Sequence, residues 1–205
     1  MGQGYSRVAL GALAAGMIFG AASAMAQPAP LRVRGTIEKV DGGTLTVKTR
    51  EGDTVTVKVP DNVGVAGVVK RTLADIKPND FVGIAAMPQA GKPSRALEVL
   101  IFPEAMRGTG EGHRGWDLMP ESTMTNATVA EAVKQVDGQT LTLKYKEGQQ
   151  TFVVAPETPI VSFAPGEKSE LKPGAAIFIS GATKGGDGSL SAARVAVGRD
   201  VPPPM

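Results

Sequence analysis

Cysteine is absent from all 205 residues of the chain. Its absence excludes disulfides, thiolate metal sites and a thiol nucleophile, and leaves stability to packing alone. Histidine occurs once, as His113, and tryptophan once, as Trp116. A lone histidine excludes the paired spacings H-x-H and H-x-x-x-H, and a structural zinc set of four His or Cys ligands with them. Aromatic residues make up only 4% of the chain, too few for the stacking platforms on which single-stranded nucleic acid is held. Charge of one sign is also missing. Lys and Arg number 22 against 20 Asp and Glu, so no electrostatic argument favours a nucleic-acid partner. After Ala26 no apolar run approaches the roughly 20 residues that a spanning helix needs, and no integral membrane segment is expected there.

What is present begins with MGQGYSRVALGALAAGMIFGAASAMAQ. One basic residue, Arg7, precedes an apolar stretch from Val8 to Gly20, and Ala24-Met25-Ala26 supplies small side chains around a cleavage point. This is the pattern of a secretory signal over residues 1–26, cut near Ala26-Gln27. It predicts a periplasmic or secreted protein.

The remaining chain is dominated by a duplication. At a separation of 96 residues, VRGTIEKVDGGTLTVKTREGDTVTVKVP (from Val33) aligns with VAEAVKQVDGQTLTLKYKEGQQTFVVAP (from Val129), with 12 of 28 pairs identical. Random pairing would give about two. IKPNDFVGI (from Ile76) matches LKPGAAIFI (from Leu171) after a one-residue deletion, and ALEVLIF (from Ala96) meets AARVAVG (from Ala192). Such matched punctuation is the duplication of a structural unit.

In the first unit, residues 31–40, 43–49, 54–60, 80–88 and 95–102 read as strands. Leu45 and Val47 would face inward while Thr44, Thr46 and Lys48 face out, the period of two that marks a half-buried strand. Asp41-Gly42 and Glu51-Gly52 mark turns, repeated as Asp137-Gly138 and Glu147-Gly148. Phe152-Val153-Val154 leaves a bulge or a doubly buried strand open. Thr72-Leu73-Ala74-Asp75 predicts one helical or 3₁₀ turn halted before Pro78. A unit of about 70 residues mixing Thr and Val buries too little as an open sheet, and closure removes its edges. The sequence therefore predicts an all-β fold of two tandem five-stranded OB-like barrels, residues 27–101 and 129–198. A central segment, 102–128, joins them, and a Pro-rich tail, 199–205, follows.

The VDGxTLTV…KEG hairpins, followed by LKPG and a final strand, resemble the exported bacterial DUF5666-like domain, an OB-like β module. FPEAMRGTGEGHRxWDLxPxSTMTNATV, within residues 102–129, resembles a set of exported alphaproteobacterial proteins that carry this module twice. Such sequences are sometimes labelled metal ABC transporter permease, a label at odds with a chain lacking a set of apolar helices. The resemblance implies a fold and no particular activity.

The central segment lies outside both repeats and holds Phe102, Met106, Trp116, Leu118 and Met119. Its apolar content predicts order, with Trp116 anchoring it across the two barrels. A loop this long is often functional, so Arg107, Glu111, His113, Arg114, Trp116 and Asp117 are the candidate binding residues. The preferred reading is a non-enzymatic exported protein that binds an envelope protein or glycan, without a cofactor. A metal-handling alternative would use Glu111, His113 and Asp117, with Glu104, Glu121 or the soft ligands Met87, Met106, Met119 and Met124 in support. A second alternative, a hydrolase, would need Ser122, Thr123 or Thr125 beside His113, with Glu111 or Asp117 orienting the ring. The glycines and arginines of Arg107–Gly115 lack the spacing of a phosphate loop.

Overall fold

In the computed structural model, residues 31–135 and 138–203, together with Met1, are described. The signal segment expected before Gln27, and Asp137 of the expected Asp137-Gly138 turn, lie outside the described residues. The fold is all-β, with three single 3₁₀ turns beside its strands among those residues. The first repeat supplies β1 (Leu31–Asp41), β2 (Thr44–Thr49), β3 (Thr54–Lys58), β4 (Gly64–Lys70), β5 (Phe81–Gln89) and β6 (Lys92–Ile101). The central segment carries β7 (Gly112–Gly115). The second repeat supplies β8 (Thr123–Gln135), β9 (Gly138–Tyr145), β10 (Gly148–Val154), β11 (Ile160–Pro165), β12 (Ala176–Lys184), β13 (Leu190–Ser191) and β14 (Arg194–Gly198).

All five strands expected in the first repeat form, and the 3₁₀ turn falls at Leu73–Asp75. Leu45 and Val47 are buried as their alternation requires. Phe152 to Val154 pairs with β9 in unbroken register, so there is no bulge there. Between the third and fourth of the expected strands a further strand, β4, also forms; it shows no alternation in the sequence because GVAGVVK is almost uniformly apolar or small.

The tandem arrangement of self-contained barrels is not what the pairings show. The hairpins β1–β2–β3 close with strands of the second repeat: β1 pairs antiparallel with β12, β12 with β13, and β13 parallel with β3. Reciprocally, β8–β9–β10 closes with β5 and β6 of the first repeat. Each repeat thus gives its meander to one closed five-stranded circuit and its last strands to the other. The cores confirm the exchange. Val33, Leu45 and Val57 pack with Leu171, Ile177 and Ile179 in one circuit, and Val82, Ile84 and Val99 pack with Leu141, Leu143 and Phe152 in the other. The two repeats carry the same pattern of apolar and polar residues, so either can satisfy the other's strand edges; periodicity specifies the face of a strand and leaves its partner open.

The circuits meet along β4 and β11, which pair antiparallel, with β14 parallel to β4 and β6 parallel to β11. Val68 lies opposite Phe163, and these two are equivalent positions of the duplication, 95 residues apart after the deletion. A pseudo-two-fold axis therefore passes through that pair. Its neighbours obey it: Lys70 faces Val161 and Ala66 faces Pro165, the same two equivalences read from opposite ends.

Candidate binding cavity

The strands around the axis present one face inward to a circuit and the other to a shared cleft. On β14, Val197 is buried in a core, while Arg194 and Ala196 line the cleft. On β6, Val99 faces a core, and Glu98 and Leu100 face the cleft. The period of two that builds the circuits thereby also builds the wall of a second compartment. The central segment passes over it. Met106, Thr109, Gly110, Arg114 and Trp116 complete a cavity of about 510 Å³, within the range that binds small organic ligands.

This segment is a strap fastened to both circuits. On one side β7 pairs with β8, Asn126 donates through Nδ2 to Thr109 O at 2.9 Å, and Arg107 donates to Asn79 O at 2.9 Å. On the other, Asp117 accepts from Arg34 at 2.8 Å and Arg32 at 3.3 Å, and Arg50 donates to Leu118 O at 3.4 Å. Ser122 locks the turn between: its hydroxyl meets Trp116 O at 3.1 Å and Met119 O at 2.7 Å. Trp116 packs against the cluster of Val68, Val161, Phe178 and Ala196. Its ring lies 4.0 Å from the Arg32 guanidinium and 5.6 Å from that of Arg114. The expected anchor is therefore in place, held by packing and by cation–π attraction.

Gly83 shows how closely the roof fits. A methyl group there would sit 2.8 Å from Asn126 Oδ1 and 3.2 Å from the Phe102 ring, so a side chain on β5 at this point would force the Asn126 amide to shift. Burial also leaves polar atoms beside the cavity without protein partners. Trp116 Nε1, Arg32 Nε and Asn126 Oδ1 are buried and make no hydrogen bond. Buried groups of this kind are exceptional and ask for a ligand or water.

The six candidates from the sequence divide. Arg114 and Trp116 line the cavity. Asp117 lies behind Trp116, where burial raises its pKa and the adjacent Arg34 and Arg32 outweigh that, holding the carboxyl below its ordinary range. Arg107 lies at the strap's start in a fork with Glu104, at 2.6 and 2.7 Å. Glu111 is exposed. His113 faces away from Arg114 on the short strand β7; its Nδ1 is 2.7 Å from Thr125 Oγ1 and its ring stacks on Tyr145.

Glu111, His113 and Asp117 are not gathered into a metal site: among the described residues no three His, Cys, Asp or Glu side chains are grouped to hold an ion. The soft-ligand variant divides too, for Met106 and Met124 line the cavity while His113 is on the outer face. Thr125 meets His113 because the two are register partners across β7 and β8, and it is wholly buried. Ser122 is committed to the turn. Leu100, Phe163, Phe178 and Arg194 were missed by sequence reasoning, which confined the site to the central segment. The alternation of β6 and β14 shows which residues face outward, but only the exchanged topology brings them beneath the strap.

No curated protein and no solved structure matches the chain. A family model described as Domain of unknown function (DUF5666) matches residues 132–196, a span that holds the second repeat's hairpins and also β12–β14, which complete the opposite circuit. The chain carries a DUF5666 domain over those residues.

Proposed function

We propose that this is a non-enzymatic exported binding protein that takes a small envelope-derived molecule into the cavity beneath the strap. The observation that carries the reading is that cavity, about 510 Å³ and walled by both repeats and the central segment. Buried polar atoms without partners lie beside it, the combination of apolar wall and few oriented polar groups typical of ligand sites. Each circuit is read as OB-like, since three antiparallel strands close through one parallel contact, β13 on β3 or β6 on β10. The export signal is the basis for placing the protein in the periplasm or outside the cell.

A hydrolase has only the His113–Thr125 contact in its favour, and a wholly buried hydroxyl gives a substrate no approach. Among the described residues the metal-handling alternative has no grouped ligands to support it. A small molecule is favoured over an envelope protein or glycan because the apolar surface lines a concave, half-open cavity rather than an outer face.

Native mass spectrometry of protein isolated from the periplasm tests the proposal. The native chain is expected to carry a bound small molecule that Ala66→Phe, which fills the cavity from β4, excludes while keeping the native circular dichroism. Equal loading of a folded Ala66→Phe protein, or an empty native protein that no envelope extract can load, would reject the reading.

A further inference from the structure

We infer that the cavity selects an amphipathic anion, a carboxylate on an apolar tail; the inference rests on the reading of this cavity as the ligand site. The walls supply the tail's environment, with Leu100, Phe102, Met106, Met124, Phe163 and Phe178 all lining it. The charged lining is Arg32, Arg114 and Arg194 against Glu98, a formal excess of two positive charges. These charges are not spread evenly. Around Trp116 three guanidiniums converge, with Arg32, Arg34 and Arg114 at 4.0, 5.7 and 5.6 Å from its ring. Asp117 is the one carboxylate there, and it is taken by Arg34 and Arg32.

Arg114 is the cation left over. Its hydrogen bond goes to Gly110 O at 2.8 Å, and Asp117 pairs with Arg34 and Arg32 rather than with it. Burial, and then the like charge of Arg32, disfavour its charged form. An anion at this point would relieve both effects. Donors lie beside it, because Trp116 Nε1 and Arg32 Nε are buried without partners and both residues line the cavity. A carboxylate accepts from several N–H groups at once, and hydrogen bonds to an ionised acceptor are the stronger kind.

The single tryptophan makes the site its own reporter. Trp116 emission is followed while the protein is titrated with decanoate, decanol or decyltrimethylammonium below their micelle concentrations. Decanoate is expected to give a saturable change with an affinity about tenfold or more above that of decanol, and the cation none. Arg114→Gln should abolish the preference for decanoate while leaving decanol binding intact, and Arg114→Lys should retain part of it. Near-ultraviolet circular dichroism checks that both variants are folded. Decanol binding as tightly as decanoate, or Arg114→Gln keeping the preference, would overturn the anion inference and leave the cavity as a ligand site. Failure of every probe to change Trp116 emission would overturn the inference and the ligand site together.

Discussion

Arg199 illustrates how single residues tie the ends of this chain to its middle. Its guanidinium grips Glu170 at 2.6 and 2.7 Å and donates to Pro165 O at 2.8 Å. It lies so close over Gly67 that a methyl group there would overlap it. Arg199 holds the Glu170 carboxyl at about 2, below its ordinary 4.5. A carboxylate whose pKa is depressed on folding stabilises the native state above its unfolded pKa and loses that contribution as pH falls through the folded value. The contribution should therefore be complete above about pH 4.5 and fade toward pH 2. Thermal unfolding of the native protein and Glu170→Gln should differ at pH 6 and converge toward pH 2. A gap that stays constant across that window would show that Arg199 does not act through this carboxylate.

At the scale of elements, the strap is the least regular piece and the one whose fastening is most concentrated. Asp117 bridges to two arginines on β1, and its side chain is 47% exposed. Solvent screening limits what such a pair contributes to about 1 kcal/mol. Asp117→Ala is expected to lower stability by about that much, while limited proteolysis between Arg107 and Leu118 accelerates several-fold. Cleavage at the native rate would mean that Trp116 packing alone secures the strap. The strap's order was legible in its apolar residues, and Trp116 as its anchor in the same way. The direction in which each side chain points was not. His113 and Arg114 are adjacent on β7 and project to opposite faces, so a reading by proximity in sequence joined what the strand separates. β4 was hidden for a different reason: it packs on both faces near the axis and has no alternation to display.

For the whole molecule, the duplication was plain in the sequence, and so were the strands within each copy. The exchange between copies was hidden because identical patterns make a strand of one repeat as good a partner as its counterpart in the other. The exchange makes a direct prediction. Separate chains covering 31–109 and 110–203 should each be largely unstructured, because neither holds a complete circuit. Mixed together, they should regain β-sheet circular dichroism with a stoichiometry of one to one. A single half that folds as a monomer would show that the repeats close on themselves in isolation.

Strand exchange also imposes an order in time. The hairpins β1–β3 leave the ribosome well before the strands that close them, β12 and β13, which begin at Ala176 and Leu190. Pairing at such long sequence separation is slow, since loop-closure entropy is lost before contacts compensate. The first circuit therefore stays open until Ser191 has emerged. A chain built this way resists premature folding through its topology, because its first circuit cannot close while its partner strands are still being made.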